Sequence, residues 1–192
     1  MKKKFFSVIL ILAGVCAYSQ PGNKLKYGIK LGLAFANTKL DYTDVSPKIK
    51  AKTGFTAGGF VDLPISKSTI FQAALLYVRK GGKEAEVNGY TYPFNYNYLE
   101  IPLNILYKSK AGNGNYFLGG GFSPAFHLNS AYYGNAIKGF DLGINLLASY
   151  QTAIGFSINL GYTYGLLNAA GKNDYITKIQ NRYFSITAGY EF

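Results

Sequence analysis

Residues that carry most catalytic and metal chemistry are scarce in this 192-residue chain. Cysteine occurs once, at Cys16, histidine occurs once, at His127, and tryptophan is absent. A single histidine without a cysteine partner or an adjacent acid predicts neither a zinc site nor a nucleophile–base pair. We therefore expect no catalytic residues, no bound metal and no cofactor, and we expect that the protein is not an enzyme.

Long apolar runs are confined to the N-terminus. Three lysines at 2–4 precede an apolar stretch over 5–17 that only a serine interrupts, and Ala17 and Ser19 place small residues where a signal peptidase reads them. This pattern predicts a cleaved signal peptide. A membrane helix is less favoured, because spanning a bilayer takes about 20 apolar residues.

Cleavage after Ser19 divides the chain into a signal peptide, 1–19, and one mature domain, 20–192; cleavage after Ala17 is the second choice. Cys16 lies in the segment to be removed. The residues before it make a poor lipoprotein signal, so it is interpreted as an ordinary apolar residue. The mature domain then contains no cysteine, which excludes a disulfide or a thiolate site.

Acidic residues are also few: 9 Asp and Glu stand against 20 Lys and Arg, and the formal charge is +11. A basic chain can indicate nucleic-acid binding. Here the charges lie mostly in predicted loops, with no helix to present them. Contact with anionic lipid headgroups or sugar phosphates is the better explanation, and we expect no nucleic-acid partner.

The clearest period of two lies at the end of the chain, over 181–192. One face carries Phe184, Ile186, Ala188, Tyr190 and Phe192, and the other carries Tyr183, Ser185, Thr187, Gly189 and Glu191. This alternation predicts a strand with one apolar and one polar face. An apolar outer face is expected for the closing strand of an outer-membrane barrel, and a terminal aromatic resembles the signal that outer-membrane assembly machinery recognises.

Seven earlier segments alternate in the same way. Together with the segment at the end of the chain, the eight predicted strands are 26–35, 53–63, 69–80, 95–108, 115–127, 140–150, 155–165 and 181–192. Each is near the ~9–11 residues of a tilted span, and the connections alternate long and short. We expect a bulge or kink at Pro102 and a distorted strand end at Pro124, because proline cannot donate to a ladder. The predicted fold is all-β: an eight-stranded antiparallel up-and-down transmembrane β-barrel with both termini in the periplasm.

Charged residues recur on the polar, inward faces of these strands. They are Lys30, Asp62, Glu100, Asp141 and Glu191. A narrow barrel fills its interior with side chains, and charges persist there by pairing. We therefore interpret them as structural rather than catalytic residues, with Lys30, Asp62 and Glu191 clustered near the periplasmic end. An eight-stranded barrel filled in this way is not a general porin.

Several segments resemble the PorT-like outer-membrane β-barrel family of Bacteroidetes. The most specific is Leu99-Glu100-Ile101-Pro102-Leu103; others are 27–33, 54–58, 116–121, 141–143, 162–168 and 189–192. The sequence departs from the family pattern at Ala74, where a glutamate is expected. The resemblance implies an eight-stranded barrel of Bacteroidetes type. It implies little about activity, and the secretion and gliding role of the founding member is not transferred to this chain.

Two other functions are compatible with export. A soluble periplasmic barrel of the lipocalin type would bind an apolar ligand and turn the apolar faces inward, leaving Glu100, Asn104, Asn145 and Asn159 outside. An outer-membrane enzyme is the third choice, for lack of a catalytic constellation. The preferred function is an integral outer-membrane barrel with a structural, binding or assembly-partner role. Its expected partners are outer-membrane lipid, the assembly machinery during biogenesis and an unidentified protein.

Overall fold

The computed structural model describes residues 25–42, 49–84, 93–131, 137–171 and 176–192. The predicted signal peptide, 1–19, lies outside these ranges. The strands are β1 (Lys26–Ala36), β2 (Lys39–Tyr42), β3 (Ile49–Pro64), β4 (Thr69–Glu84), β5 (Pro93–Glu100), β6 (Leu103–Ala111), β7 (Gly114–Ala131), β8 (Phe140–Thr152), β9 (Phe156–Gly165), β10 (Ile176–Gln180) and β11 (Arg182–Glu191). Within the described ranges, no helix has the length and hydrophobicity of a membrane span.

The main sheet closes on itself. Around the ring, neighbouring strands pair antiparallel in the order β3, β1, β11, β9, β8, β7. β7 then pairs with both β5 and β6, both of these pair with β4, and β4 pairs with β3. β5 and β6 together occupy one position, because both lie between β4 and β7. The ring therefore has eight positions, and the predicted eight-stranded barrel is confirmed.

Two prolines lie in the barrel wall, Pro102 between β5 and β6 and Pro124 within β7. At Pro102, where a bulge or kink was predicted, the strand is interrupted at Ile101 and Pro102, and the Pro102 carbonyl still accepts a hydrogen bond from the Ala74 amide at 3.0 Å. The expectation for Pro124 was wrong. β7 passes through it to Ala131, because Pro124 needs only its carbonyl, which accepts from the Ile101 amide at 2.8 Å.

The two ends of the barrel differ. At one end, here called the turn end, short connections such as 65–68 and 112–113 lie beside Phe192. At the other, the loop end, strands run further than the alternation predicted: β3 begins at Ile49 and β4 ends at Glu84. The predicted loops over 36–52 and 166–180 also contain β2 and β10, which pair with each other and continue the β1–β11 pair. Extending an already closed ladder adds little loop-closure entropy, so weakly patterned residues pair there.

The outer wall is an apolar band. Leu31, Leu118 and Leu146 are 62%, 66% and 59% exposed, and aliphatic residues occupy the same outward positions on the neighbouring strands. Aromatic pairs flank the band: Tyr27–Phe192 and Tyr116–Tyr150 at the turn end, and Phe55–Tyr77 and Phe126–Phe140 at the loop end. Apolar residues outside with aromatic girdles at both edges are the surface of a membrane barrel.

Candidate functional site

The interior near the loop end contains a buried ion pair. Lys80 of β4 and Glu100 of β5 form a salt bridge, and the Glu100 side chain is 0% exposed. The Tyr183 hydroxyl donates to Glu100 Oε2 at 2.6 Å, and the Ser123 hydroxyl donates to the same oxygen at 3.2 Å. The Lys80 ammonium also lies 4.7 Å from the Tyr98 ring centroid and 5.0 Å from that of Tyr183. These five residues are called the upper lumen cluster.

A second polar group lies between this cluster and the loop end. The side-chain amide of Asn181 donates through Nδ2 to Asp141 Oδ2 at 2.9 Å and to the Tyr98 hydroxyl at 3.3 Å. The Thr38 hydroxyl donates to Asn181 Oδ1 at 3.2 Å. The Asp141 carboxylate also accepts from the Leu142 amide through Oδ1 at 2.8 Å. Asn181, which lies between β10 and β11, thus ties Asp141 of β8 to Tyr98 of β5 across the interior.

Towards the turn end lies the lower lumen cluster of Lys30, Gln72 and Asp62. The Lys30 ammonium donates to Gln72 Oε1 at 3.4 Å, and Gln72 Nε2 donates to Asp62 Oδ1 at 2.8 Å. Glu191 lies at the same end of the barrel, where it forms a salt bridge with Lys26 at 2.6 Å, and Lys26 pairs with Asp62 across the β1–β3 ladder. The predicted cluster around Lys30 is therefore confirmed for Asp62, which Lys30 reaches through Gln72, and Lys26 holds Glu191 beside it.

Between the two clusters, amides and apolar side chains fill the barrel. Asn145 Nδ2 donates to Asn104 Oδ1 at 2.9 Å, and the Thr163 hydroxyl donates to Asn145 Oδ1 at 3.1 Å. Two voids beside these side chains are small. One near Asp62 and Phe117 has a volume of about 20 Å³, and one near Lys30 and Asn145 has about 30 Å³. Each has room for one or two water molecules, since one water needs about 10–15 Å³ by this measure. A wider void of about 200 Å³ lies at the turn end, beside Phe117 and Glu191.

An apolar lid covers the interior at the loop end. It consists of the buried residues Tyr96, Tyr98, Ala125, Ile137, Ala169, Ala170 and Ile179. These residues come from β5, β7 and β10 and from segments that bridge at Ile137 and Ala170. The lid was not predicted, because Ile137, Ala169, Ala170 and Ile179 lie in predicted loops and meet Tyr96 and Tyr98 only when those loops pack together.

Most predicted inward residues are buried where the alternation placed them. They are Lys30, Asp62, Gln72, Tyr98, Glu100, Asn104, Phe117, Asp141, Asn145, Asn159 and Tyr183. Lys80 was not predicted as an inward residue, although the alternation that buries Gln72 continues to it. The salt-bridge partner Lys26 was not predicted either. His127 packs its ring against Tyr98 at 5.4 Å. In the described ranges, no group of three or more His, Cys, Asp or Glu side chains could hold a metal ion.

Solved structures with the same fold are membrane barrels. The crystal structure of OprG from Pseudomonas aeruginosa is 11% identical, with a TM-score of 0.57 over 88% of this chain and 97% of OprG. AlkL, solved in lipid bilayers, is 14% identical, with a TM-score of 0.55 over 91% of this chain and 93% of AlkL. Neisserial surface protein A is 15% identical, with a TM-score of 0.50 over 86% of this chain and 97% of the other. At these identities the likeness shows the fold alone.

The family model supplies the sequence evidence. Among curated proteins, none is significantly similar to this chain. The model described as outer membrane protein beta-barrel domain matches residues 18–171, which is most of the chain. This match and the outward apolar band favour the membrane barrel over the lipocalin-like alternative, which would have turned the apolar faces inward. The chain belongs to the outer membrane protein beta-barrel domain family.

Proposed function

We propose that this outer-membrane protein is a sealed, non-catalytic barrel that serves as a structural or binding element and not as a channel. The observation that carries the proposal is the filled interior. The upper lumen cluster, the Asn104–Asn145–Thr163 chain and the lower lumen cluster follow one another along the barrel. Voids of about 20 and 30 Å³ lie beside them, and a wider one of about 200 Å³ lies at the turn end. Eight strands enclose a space that side chains can fill, whereas porins use about 16–18.

Planar-bilayer recording tests this proposal. We expect the purified, refolded protein to insert without producing stable large ohmic steps, because the side chains of the two lumen clusters occupy the interior of the barrel that the structure describes. A porin recorded in the same bilayer is the positive control, and an unboiled gel sample shows that the protein is folded. Stable large steps would contradict the sealed barrel. Cross-linking in cells, followed by identification of the attached proteins, then addresses the proposed protein partner.

Export through a cleaved signal peptide, 1–19, is part of the proposal. Its support is the lysine-led apolar stretch before Ser19. N-terminal sequencing of the mature protein is expected to begin at Gln20, and a start at Met1 would contradict it. Membership of the PorT-like group of Bacteroidetes is also proposed, on the Leu99–Leu103 motif, whose proline the structure places at the β5–β6 break.

We further propose that the terminal aromatic residue engages the assembly machinery. The Phe192 amide donates to the Tyr27 carbonyl at 2.9 Å, and the Phe192 side chain, which is 62% exposed, packs beside the Tyr27 and Tyr190 rings on the outer wall and not in the interior. Deleting Phe192 should therefore lower the level of folded barrel in the membrane while export continues. The deletion variant should still refold in detergent, and Phe192→Tyr should assemble normally. Normal membrane levels of the deletion variant would refute the role.

A further inference from the structure

An apolar cleft opens on the outer wall at the loop end. Its volume is about 620 Å³, within the range of about 300–1,000 Å³ that is typical of ligand sites. It is lined by Phe126, Lys138, Gly139, Phe140, Leu167 and Asn168. The Phe126 and Phe140 rings lie 5.5 Å apart and both are exposed on the outward face. The cleft therefore faces the membrane and not the lumen.

The cleft exists because two neighbouring segments separate and then rejoin. Regular pairing of β8 with β9 ends at Gly143 and Gly165, next to a hydrogen bond from the Leu166 amide to the Leu142 carbonyl at 2.7 Å. The segments meet again where the Lys138 amide donates to the Ala169 carbonyl at 2.8 Å. Between these two contacts the wall is open to the outside. Behind it, the Asp141 carboxylate is turned inward and bound by Asn181.

Asn168 fixes the far side of this opening. Its Oδ1 accepts from the Ala170 amide at 3.0 Å and from the Ile179 amide at 2.9 Å, and its Nδ2 donates to the Thr177 carbonyl at 2.8 Å. The Asn168 side chain is thus tied to its own segment and to β10. The cleft is preformed, so a ligand would not need to order its wall.

The cleft combines apolar walls with one cation at its rim. The Lys138 ammonium donates to the backbone carbonyl oxygen of Asn168 at 2.9 Å. An ammonium has three donors, and Lys138 is exposed, so it can bind an anion as well. No acidic side chain is among the lining residues. The expected ligand therefore has an apolar chain and a negatively charged head.

The level of Lys138 matches that of a lipid headgroup. Lys138 lies two residues beyond outward-facing Phe140, and Arg182 lies two residues beyond outward-facing Phe184, in both cases towards the loop end. A step from an aromatic band to cations marks the border between the hydrocarbon and the headgroups. Lysine and arginine near this border attract anionic lipid. The cleft thus lies where acyl chains end and phosphates begin.

We propose that this cleft, called here the lateral lipid site, binds one phosphate-bearing lipid of the outer leaflet. An acyl chain lies along Phe126, Phe140 and Leu167, and the phosphate binds Lys138. The site goes beyond the sealed-barrel function, since it needs neither a conducting nor a plugged lumen. In this proposal, Asn168, the last residue of the 162–168 segment, holds the site open.

Lipid retention tests the site. Full-length mature protein is refolded into phosphatidylcholine nanodiscs that contain a few per cent of bis-phosphorylated lipid A, and bound lipid is counted by native mass spectrometry after release into mild detergent. Lys138→Gln should retain about fivefold less lipid A, the effect expected for one lysine near the membrane surface. Leu167→Asn should also lose lipid, through the apolar wall. The matched control is Lys50→Gln, on β3, four positions around the ring from β8.

Repeating the experiment with dephosphorylated lipid A tests the phosphate contact and the acyl-chain contact separately. Wild type and Lys138→Gln should then retain the same amount, whereas Leu167→Asn should retain less. Each variant must show the unboiled gel shift of a folded barrel. Equal retention of bis-phosphorylated lipid A by wild type and Lys138→Gln would overturn the phosphate contact. Normal retention by Leu167→Asn would overturn the acyl-chain contact and leave the cleft to a protein partner.

Discussion

Glu100→Gln is expected to destabilise the barrel by about 3–5 kcal/mol, because it leaves the buried Lys80 ammonium beside a neutral amide. Removing one partner of a buried ion pair has a cost of this size, whereas the intact pair itself contributes little net stability. The new amide keeps the shape of the side chain, and its oxygen can still accept from the Tyr183 hydroxyl. The loss therefore reports the uncompensated charge and not a cavity.

Urea unfolding of the refolded protein in phosphocholine vesicles measures this effect. Tryptophan is absent from the chain, so the transition is followed by far-ultraviolet circular dichroism and by the gel shift between unboiled and boiled samples. The matched control is Glu191→Gln, which makes the same change in the Lys26–Glu191 pair. Because the Lys26 side chain is 47% exposed, its ammonium stays hydrated and the expected loss is about 0–1 kcal/mol.

A double variant separates charge from packing. Lys80→Met with Glu100→Gln removes the unpaired ammonium while an apolar side chain of similar length fills its place. It should recover most of the stability lost in Glu100→Gln, since apolar replacement of a buried ion pair is often neutral or stabilising. A Glu100→Gln variant as stable as wild type, or a double variant as unstable as the single one, would contradict this account of the upper lumen cluster.

The alternation predicted which residues are inside, but not which of them form pairs. Across the ladder, Glu100 lies opposite Leu76, and Lys80 lies opposite Tyr96. The Lys80–Glu100 salt bridge therefore joins two neighbouring strands through residues that are offset along the ladder. Lys26 likewise lies opposite Asp62 on β3 but forms its salt bridge with Glu191 on β11. Such choices depend on the tilt and coiling of the strands, which a period of two does not encode.

The same limit applies to the loop end. β2 and β10 are far apart in sequence, and each is too short to show a pattern of its own. Their pairing becomes favourable once β1 and β11 have closed the barrel beside them. The lateral lipid site depends on this pairing, because Asn168 is bound to the Thr177 carbonyl and the Ile179 amide on β10. Neither the cleft nor the wall that Asn168 fixes could therefore be predicted from a sequence motif.

Two glycines of β1, Gly28 and Gly32, lie where β11 comes close to β1. A Cβ at Gly28 would lie 2.3 Å from the Tyr190 carbonyl oxygen and 2.5 Å from the Phe60 ring, so that glycine makes room for backbone and for a side chain. A Cβ at Gly32 would lie 2.0 Å from the Ile186 carbonyl oxygen and 2.6 Å from the Thr187 Cα. Both are backbone atoms of β11, so β1 and β11 approach too closely there for any side chain.

Gly32→Ala should therefore destabilise the barrel by about 1–3 kcal/mol or more, the usual cost of overpacking, because backbone cannot move aside as a flexible side chain can. Gly59→Ala on β3 is the matched control, since its Cβ would meet its nearest atom at 3.5 Å, an ordinary contact. That variant should be neutral or slightly stabilised, because alanine restricts the unfolded chain.

The position of Gly32 also predicts an effect on folding rate. β1 and β11 come from opposite ends of the mature chain and pair at the seam that closes the ring, and contacts so distant in sequence form slowly. Refolding into vesicles, followed by the gel shift, should be slower for Gly32→Ala than for Gly59→Ala at equal temperature. If the two variants refold at the same rate and unfold at the same urea concentration, close approach at Gly32 does not limit closure, and the seam must be adjustable by movement of β11.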